Sequence, residues 1–207
     1  MLNDLFDIPS IDLGNVTCHS GGAQGADTYW DVLGEPYGVK VKGYSYKTSY
    51  HTGKNKVEIT DSDYQDGVEE INKANKVLGR YGIQKYMSLL ARNWSQVKYS
   101  NQIFAIGYIV DPGKKSPKGY YSKSKYQTVD GGTGYAVQMG VNHQKDIYVF
   151  DQSVKYWFRW SYSTMTFIKL DETPIIKTRD FAGIGTREIT EDGISAIKDV
   201  YSKTFKK

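Results

Sequence analysis

Apolar and polar positions along the chain alternate between two periods. Val16–His19, Asp146–Phe150 (DIYVF) and Arg179–Ile184 are short apolar runs that predict strands. Gln102–Val110 (QIFAIGYIV) is nearly continuous in apolar residues, which predicts a central strand covered on both faces. Gly38–Tyr44, with Val39 and Val41 between Lys40 and Lys42, has the period of two of a half-exposed strand and reads as a sheet edge. Between these runs the spacing turns helical. Helices are predicted over Ala26–Leu33, Tyr64–Leu78, Lys85–Val97, Tyr135–Gly140 and Ile189–Thr204, the last with Ile194, Ile197, Val200 and Tyr201 facing inward. Thr60-Asp61-Ser62-Asp63 offers capping residues before the second of these, and Gly79 ends it. Lys155–Leu170 (KYWFRWSYSTMTFIKL) alternates aromatics with polar residues and reads as a β-hairpin.

Two stretches carry no period. Ser45–Asn55, with Lys47, His51, Lys54 and Asn55, reads as a basic loop able to close over a ligand. Residues 111–128, rich in Pro, Gly and Lys, read as a mobile surface loop.

The remaining signal is in the glycines. Ser20-Gly21-Gly22-Ala23-Gln24-Gly25-Ala26-Asp27, Asp130-Gly131-Gly132-Thr133-Gly134 and Ala182-Gly183-Ile184-Gly185-Thr186-Arg187 each sit between an expected strand and an expected helix. Glycine lets the chain turn sharply there and aim bare N–H groups at an anion, where a helix start adds about half a positive charge. The amides of Gly21, Gly22, Gly25, Gly132, Thr133 and Gly134 are thus candidates to hold phosphates, with the Ser20 and Thr133 hydroxyls as further donors. Arg187, Arg92 and its neighbour Asn93 would add side-chain donors. Asp27 either binds a ribose hydroxyl, assists hydrolysis, or simply places an acid at a helix start.

Composition narrows the classes. The 207 residues, 39% hydrophobic, suffice for one sizeable core, so a single domain spanning 1–207 is expected. A net charge of +4 does not announce a nucleic-acid binder. The single cysteine, Cys18, falls in an expected strand and fits a reducing compartment. Met1–Gly14, an N-terminal extension, has acidic residues where a signal peptide is basic, and no apolar run approaches the ~18 residues of a membrane span. A cytoplasmic protein is expected. Trp157 and Trp160 are expected to pack in a core, and no Cys/His/carboxylate grouping has metal-like spacing.

Taken together, the cradle at 20–27, the Arg92-Asn93 pair and the turns at 131–134 and 183–187 resemble the SLOG superfamily of Rossmann-like proteins. That group contains the DNA-processing protein A family, the YspA-like phage and bacterial proteins, and the LOG nucleotide phosphoribohydrolases. The resemblance is nearest to phage-type members. In those relatives the Gly-Ile-Gly-Ser/Thr-Arg turn precedes the Ser-Gly-Gly-Ala-x-Gly-Ala-Asp turn, whereas here it closes the chain, so a circular permutation is implied. The resemblance implies an α/β, doubly wound, mainly parallel sheet of about five strands. Their order would be 38–44, 15–19, 179–184, 103–109, 146–150, with an extra hairpin near 155–170. Its three glycine turns would meet at one nucleotide or nucleotide-derived signalling ligand, sensed or sequestered by the protein; related proteins pair, so a homodimer is implied too.

LOG hydrolases carry a glutamate after their Gly-Gly-x-Gly-Thr turn. Here Gln138 falls near that place, and Glu188, after the third turn, comes one position early, so hydrolysis of a nucleotide N-glycosidic bond would fall to Asp27 or Glu188. Binding is favoured over catalysis. The resemblance to DNA-processing protein A adds single-stranded DNA as an alternative partner, held by Lys47, Lys54, Arg80 and the lysines at 114, 115, 118, 123 and 125.

Overall fold

The computed structural model describes residues 15–48 and 51–205, so the expected extension over 1–14 lies outside the described residues. Strands β1 (Thr17–Ser20), β2 (Lys40–Ser45), β3 (Lys56–Glu58), β4 (Gln102–Gly107), β7 (Asp146–Asp151), β8 (Tyr156–Ser161), β9 (Thr166–Lys169) and β10 (Asp180–Gly185) form one sheet. A small separate ladder pairs β5 (Ile109–Val110) with β6 (Thr128–Val129). Helices α1 (Ala26–Gly34), α2 (Asp61–Leu78), α3 (Met87–Ala91), α4 (Asn93–Lys98), α5 (Thr133–Asn142) and α6 (Glu191–Phe205) cover it.

The strand order is β3-β2-β1-β10-β4-β7-β8-β9, parallel from β3 to β7 and antiparallel across β8 and β9. The five inner strands lie in the expected order, with the last strand of the chain between β1 and β4. The sheet is nevertheless eight-stranded rather than about five. The hairpin extends it beyond β7, and β3 pairs outside β2, so β2 is not the edge. Lys56-Val57-Glu58 is short and wholly exposed, leaving no apolar signal by which a strand could be read.

Alternation in the inner strands builds two cores. Ile103 and Ala105 of β4, Ile147 and Val149 of β7, and Ala182 and Ile184 of β10 face α2, α4 and α5. Phe104 and Ile106, Tyr148 and Phe150, and Phe181 face α1 and α6, where Trp30 and Tyr201 are fully buried. Gly183 belongs to this second face. A β-carbon there would lie 2.6 Å from the Trp30 ring and 2.8 Å from Cys18 Sγ, so Gly183 is an interior strand residue that makes room for an indole. The turn expected at Gly183 therefore begins only after Gly185, the last residue of β10. Both Trp157 and Trp160 are buried, as expected of packing residues.

Two boundaries shift for physical reasons. The helix expected over Lys85–Val97 is broken at Arg92: the Ser95 amide bonds the Arg92 carbonyl at 3.1 Å, a three-residue step that tightens the turn between α3 and α4. The strand expected to reach 109 leaves the sheet at Gly107, and Asp151 captures the Ile109 amide at 3.2 Å as the chain departs. Residues 111–127 then form an excursion with a Lys115–Tyr121 bridge. The caps of α2 are as expected: Thr60 accepts from the Asp63 amide, and Gly79 ends the helix at φ 60°.

Candidate functional site

The glycine turns follow the carboxyl ends of adjacent strands: the first after β1, the third after β10, the second between β6 and α5 on the excursion that follows β4. Direct contacts join them. The Ala26 amide donates to the Thr186 carbonyl at 3.0 Å, and Gly25, at φ 104°, sits so close to Arg187 that a β-carbon would lie 2.6 Å from its backbone. Arg92 donates to the Gly21 carbonyl, and the Asn93 side-chain amide donates to the Gly132 carbonyl at 3.3 Å. Lys118, from the excursion, pairs with Glu188 at 3.0 Å and stands 3.8 Å from where a Gly131 β-carbon would be.

The first turn is closed on itself. Its Gly22 amide donates to Ser20 Oγ at 3.3 Å, and its Ala23 amide to Asp27 Oδ2 at 3.4 Å. Asp27 reaches back from the first turn of α1, which gives these donors a partner inside the protein. Burial pushes the Asp27 carboxyl up to about 6, while the Arg92 guanidinium and the amides of Ala23, Gly185 and Gly21 act against that rise. Arg92 is 4% exposed and, among the described residues, its guanidinium bonds only carbonyls, those of Gly21, Tyr44 at 3.2 Å and Leu89 at 3.4 Å. Burial lowers its pKa and the Asp27 charge opposes the change. A β-carbon on Gly21 would lie 2.3 Å from Gln96 Nε2, 2.6 Å from Asp27 Oδ2 and 3.0 Å from Arg92, so three polar side chains converge on one α-carbon.

A strap from the basic loop covers this turn. The Thr52 and Gly53 amides both donate to the Gly22 carbonyl, at 2.8 and 3.1 Å, and the His51 ring rests against Gly22 with Nε2 2.9 Å from the Gly43 carbonyl. The Lys54 amide donates to Asp31 at 2.9 Å and its ammonium pairs with Glu35 at 2.8 Å. A cavity of about 490 Å³ lies beyond the strap, between Asp31, Glu35, Lys54 and the β1–β2 surface, beside the junction rather than in it.

The second turn is open. Arg80 braces it from behind, donating to the carbonyls of Gly131 at 2.6 Å and Val129 at 2.5 Å, and Gly134 lets α5 start against Val129, whose carbonyl oxygen a β-carbon would meet at 1.9 Å. Gly131, at φ 63°, donates to Asp130 Oδ1 at 2.7 Å, while Asp130 Oδ2 is buried without a partner among the described residues. Gly132 is exposed at the start of α5, and neither its amide nor the Thr133 amide or hydroxyl has a partner among the described residues.

The third turn is fixed by Gln152, which accepts from the Thr190 amide at 2.7 Å and donates to the Glu188 carbonyl at 3.2 Å. Gly185 must be small, since a β-carbon would lie 2.5 Å from that of Ala26. Thr186 bonds Glu188 at 3.1 Å. The Lys118 ammonium holds the Glu188 carboxyl below the usual range, which keeps that acid ionised. Arg187 is exposed, and its guanidinium makes no hydrogen bond or ion pair among the described residues.

The candidates therefore fall into two groups. Gly132, Thr133 and Arg187 present donors outward; Ser20, Gly21, Gly22, Asp27 and Arg92 form a satisfied interior network, with Gly25, Gly134, Gly183 and Gly185 providing close approach. Sequence reasoning did not single out Gln152 or Tyr44, whose roles come from long-range backbone bonds. Of the cations proposed for DNA, Lys47, Lys54 and Lys118 are paired with Asp61, Glu35 and Glu188, and Arg80 is consumed by the second turn.

Fold and site together define an α/β protein with three glycine turns joined beyond the carboxyl ends of the central strands of a mostly parallel sheet. No protein-family model, curated protein or solved structure matches the chain. Among the described residues no helix is long and apolar enough to cross a membrane.

Proposed function

We propose that the protein binds a nucleotide or nucleotide-derived ligand at the junction of its three glycine turns, on a Rossmann-like sheet whose SLOG arrangement is circularly permuted. The observation that carries this reading is the joining of the turns: Arg92 and Asn93 tie the first to the second, and Gly25 packs the first against the third. Separate structural turns need no such ties. The amides of Gly132 and Thr133 at the start of α5, unpartnered among the described residues, suit a phosphate, and the exposed Arg187 guanidinium belongs to the third turn, which Lys118 bridges to the second through Glu188. Sensing or sequestering fits a site of this kind better than turnover, because Glu188, held ionised by Lys118, has no proton to give a leaving base.

Calorimetry with mononucleotides, ADP-ribose derivatives and cyclic dinucleotides tests the reading. Binding of one class that Arg187→Ala weakens about ten-fold is the expected result; no heat with any of them overturns it. A second reading, cleavage of a nucleotide N-glycosidic bond, has one observation in its favour: Asp27 exchanges its proton near pH 6, in the range of a working acid or base. Release of free base from nucleoside monophosphates, abolished by Asp27→Asn, would establish it.

A further inference from the structure

We propose that Asp27 is a tethered anion filling the amide nest of the first glycine turn, so that this turn rejects phosphate and leaves the phosphate of a ligand to the second turn. The inference rests on the nucleotide reading for the identity of that ligand, but the occupancy of the nest does not.

In sequence the first turn is the more obvious phosphate cradle, with three glycines and a helix directly after it. Its geometry says otherwise. A phosphate needs donors, and here the Ala23 amide is committed to Asp27 Oδ2 and the Gly22 amide to Ser20, with the Gly21 and Gly185 amides also turned toward the carboxylate. The carboxylate therefore occupies the place that an external anion would take, and two anions do not share a buried space.

Charge agrees with geometry. Arg92 is the cation of the nest, and Asp27 cancels it, so the closed turn has no net charge to offer a phosphate. The Cys18 thiol in β1 faces Asp27, with Asp31 one turn further along α1; His51 lies over Gly22 from the strap, and Arg187 packs only its backbone on Gly25 and points its guanidinium outward. Gln96, 1% exposed, completes the crowding: its amide nitrogen lies against Gly21 beside Asp27 and Arg92, so side chains of the protein fill the turn. The phosphate end of the ligand then falls to the second turn, where Gly132 and Thr133 have amides to spare.

Inorganic sulfate is the probe, because its charge is constant across the pH range in which Asp27 titrates. Near pH 8, Asp27→Asn should bind sulfate about ten-fold more tightly than the wild type, since Arg92 and the amides lose their internal anion. The second turn is common to both proteins, so the difference belongs to the first. Lowering the pH to about 5 should give the wild type the same gain, while Asp27→Asn, which keeps His51, shows none. Equal affinities near pH 8, or a wild type whose affinity does not rise in acid, would overturn the proposal. If Asp27→Asn does not fold, the pH titration of the wild type, compared with His51→Gln, still decides it. A sulfate gain without nucleotide binding would leave Asp27 in this role and remove the nucleotide reading alone.

Discussion

Arg92 and Asn93 are consecutive in the chain and bond to different glycine turns. The guanidinium donates to the carbonyl of Gly21 and the amide side chain to the carbonyl of Gly132. The break between α3 and α4 makes this division available, because it falls at Arg92 and lets neighbouring side chains leave the helix in different directions.

These two residues should differ in cost when removed. Arg92→Leu leaves the buried Asp27 charge without its cation and is expected to destabilise the protein by ~3 kcal/mol. Asn93→Ala gives up one partly buried hydrogen bond and should cost ~1 kcal/mol while still weakening ligand binding. Urea unfolding of both variants checks the order.

Alanine at the glycines should separate turns that need close approach from turns that need only a backbone angle. Gly134→Ala places a β-carbon 1.9 Å from the Val129 carbonyl oxygen, and Gly25→Ala combines φ 104° with Arg187 backbone at 2.6 Å, so both should unfold the site or the protein. Gly131→Ala meets only the end of the Lys118 side chain at 3.8 Å, and its φ of 63° should cost about 1 kcal/mol. A melting series over the three variants is the measurement.

Asp27 makes stability depend on pH in an uncommon direction. Its folded pKa of about 6 lies above the ordinary value of 3.8, so the folded state holds its proton more tightly than the unfolded one. The resulting penalty is absent below the ordinary value and complete above about 6. At full size it amounts to ~3 kcal/mol. Asp27→Asn should therefore be more stable than the wild type near neutrality, and that advantage should shrink as the pH falls through 6 toward 4.

His19 pulls the other way. It lies between Tyr44, whose hydroxyl is 2.9 Å from Nδ1, and Asp180, 2.9 Å from Nε2. Burial lowers its pKa despite the Asp180 carboxylate, so the ring is neutral, donating to Asp180 and accepting from Tyr44. Because the folded pKa is depressed, stability from this group is lost as the pH drops below the ordinary 6.5. His19→Gln should cost most at neutral pH, and the gap to the wild type should narrow in acid, as read by denaturation at several pH values.

The five inner strands were legible because their residues are apolar for reasons local to each run: Ile103 to Ile106 can only be a strand covered on both faces. Their order came from the resemblance, not from the runs. The glycine turns were legible as turns, but their division into open and closed was not. That division depends on Asp27 folding back onto Ala23 and on His51 arriving from a loop thirty residues away, neither of which leaves a periodic trace. Gln152 stands between Asp151 and Ser153 with nothing local to mark it, and what distinguishes it is the distant backbone it reaches, at Glu188 and Thr190. Gly183 misled in the opposite sense, since a glycine selected to admit the Trp30 ring looks in sequence like part of a phosphate turn.

β10, made after the other seven strands of its sheet, is flanked by β1 and β4 in the finished sheet. On the ribosome, two partial sheets, β3-β2-β1 and β4-β7-β8-β9, must therefore wait for a wedge synthesised after both. Until it arrives, β1 and β4 each carry an unpaired edge of the kind that recruits other chains. The nascent protein is thus most prone to aggregate just before residue 180 emerges, and any protease or chaperone that polices it has that interval in which to act.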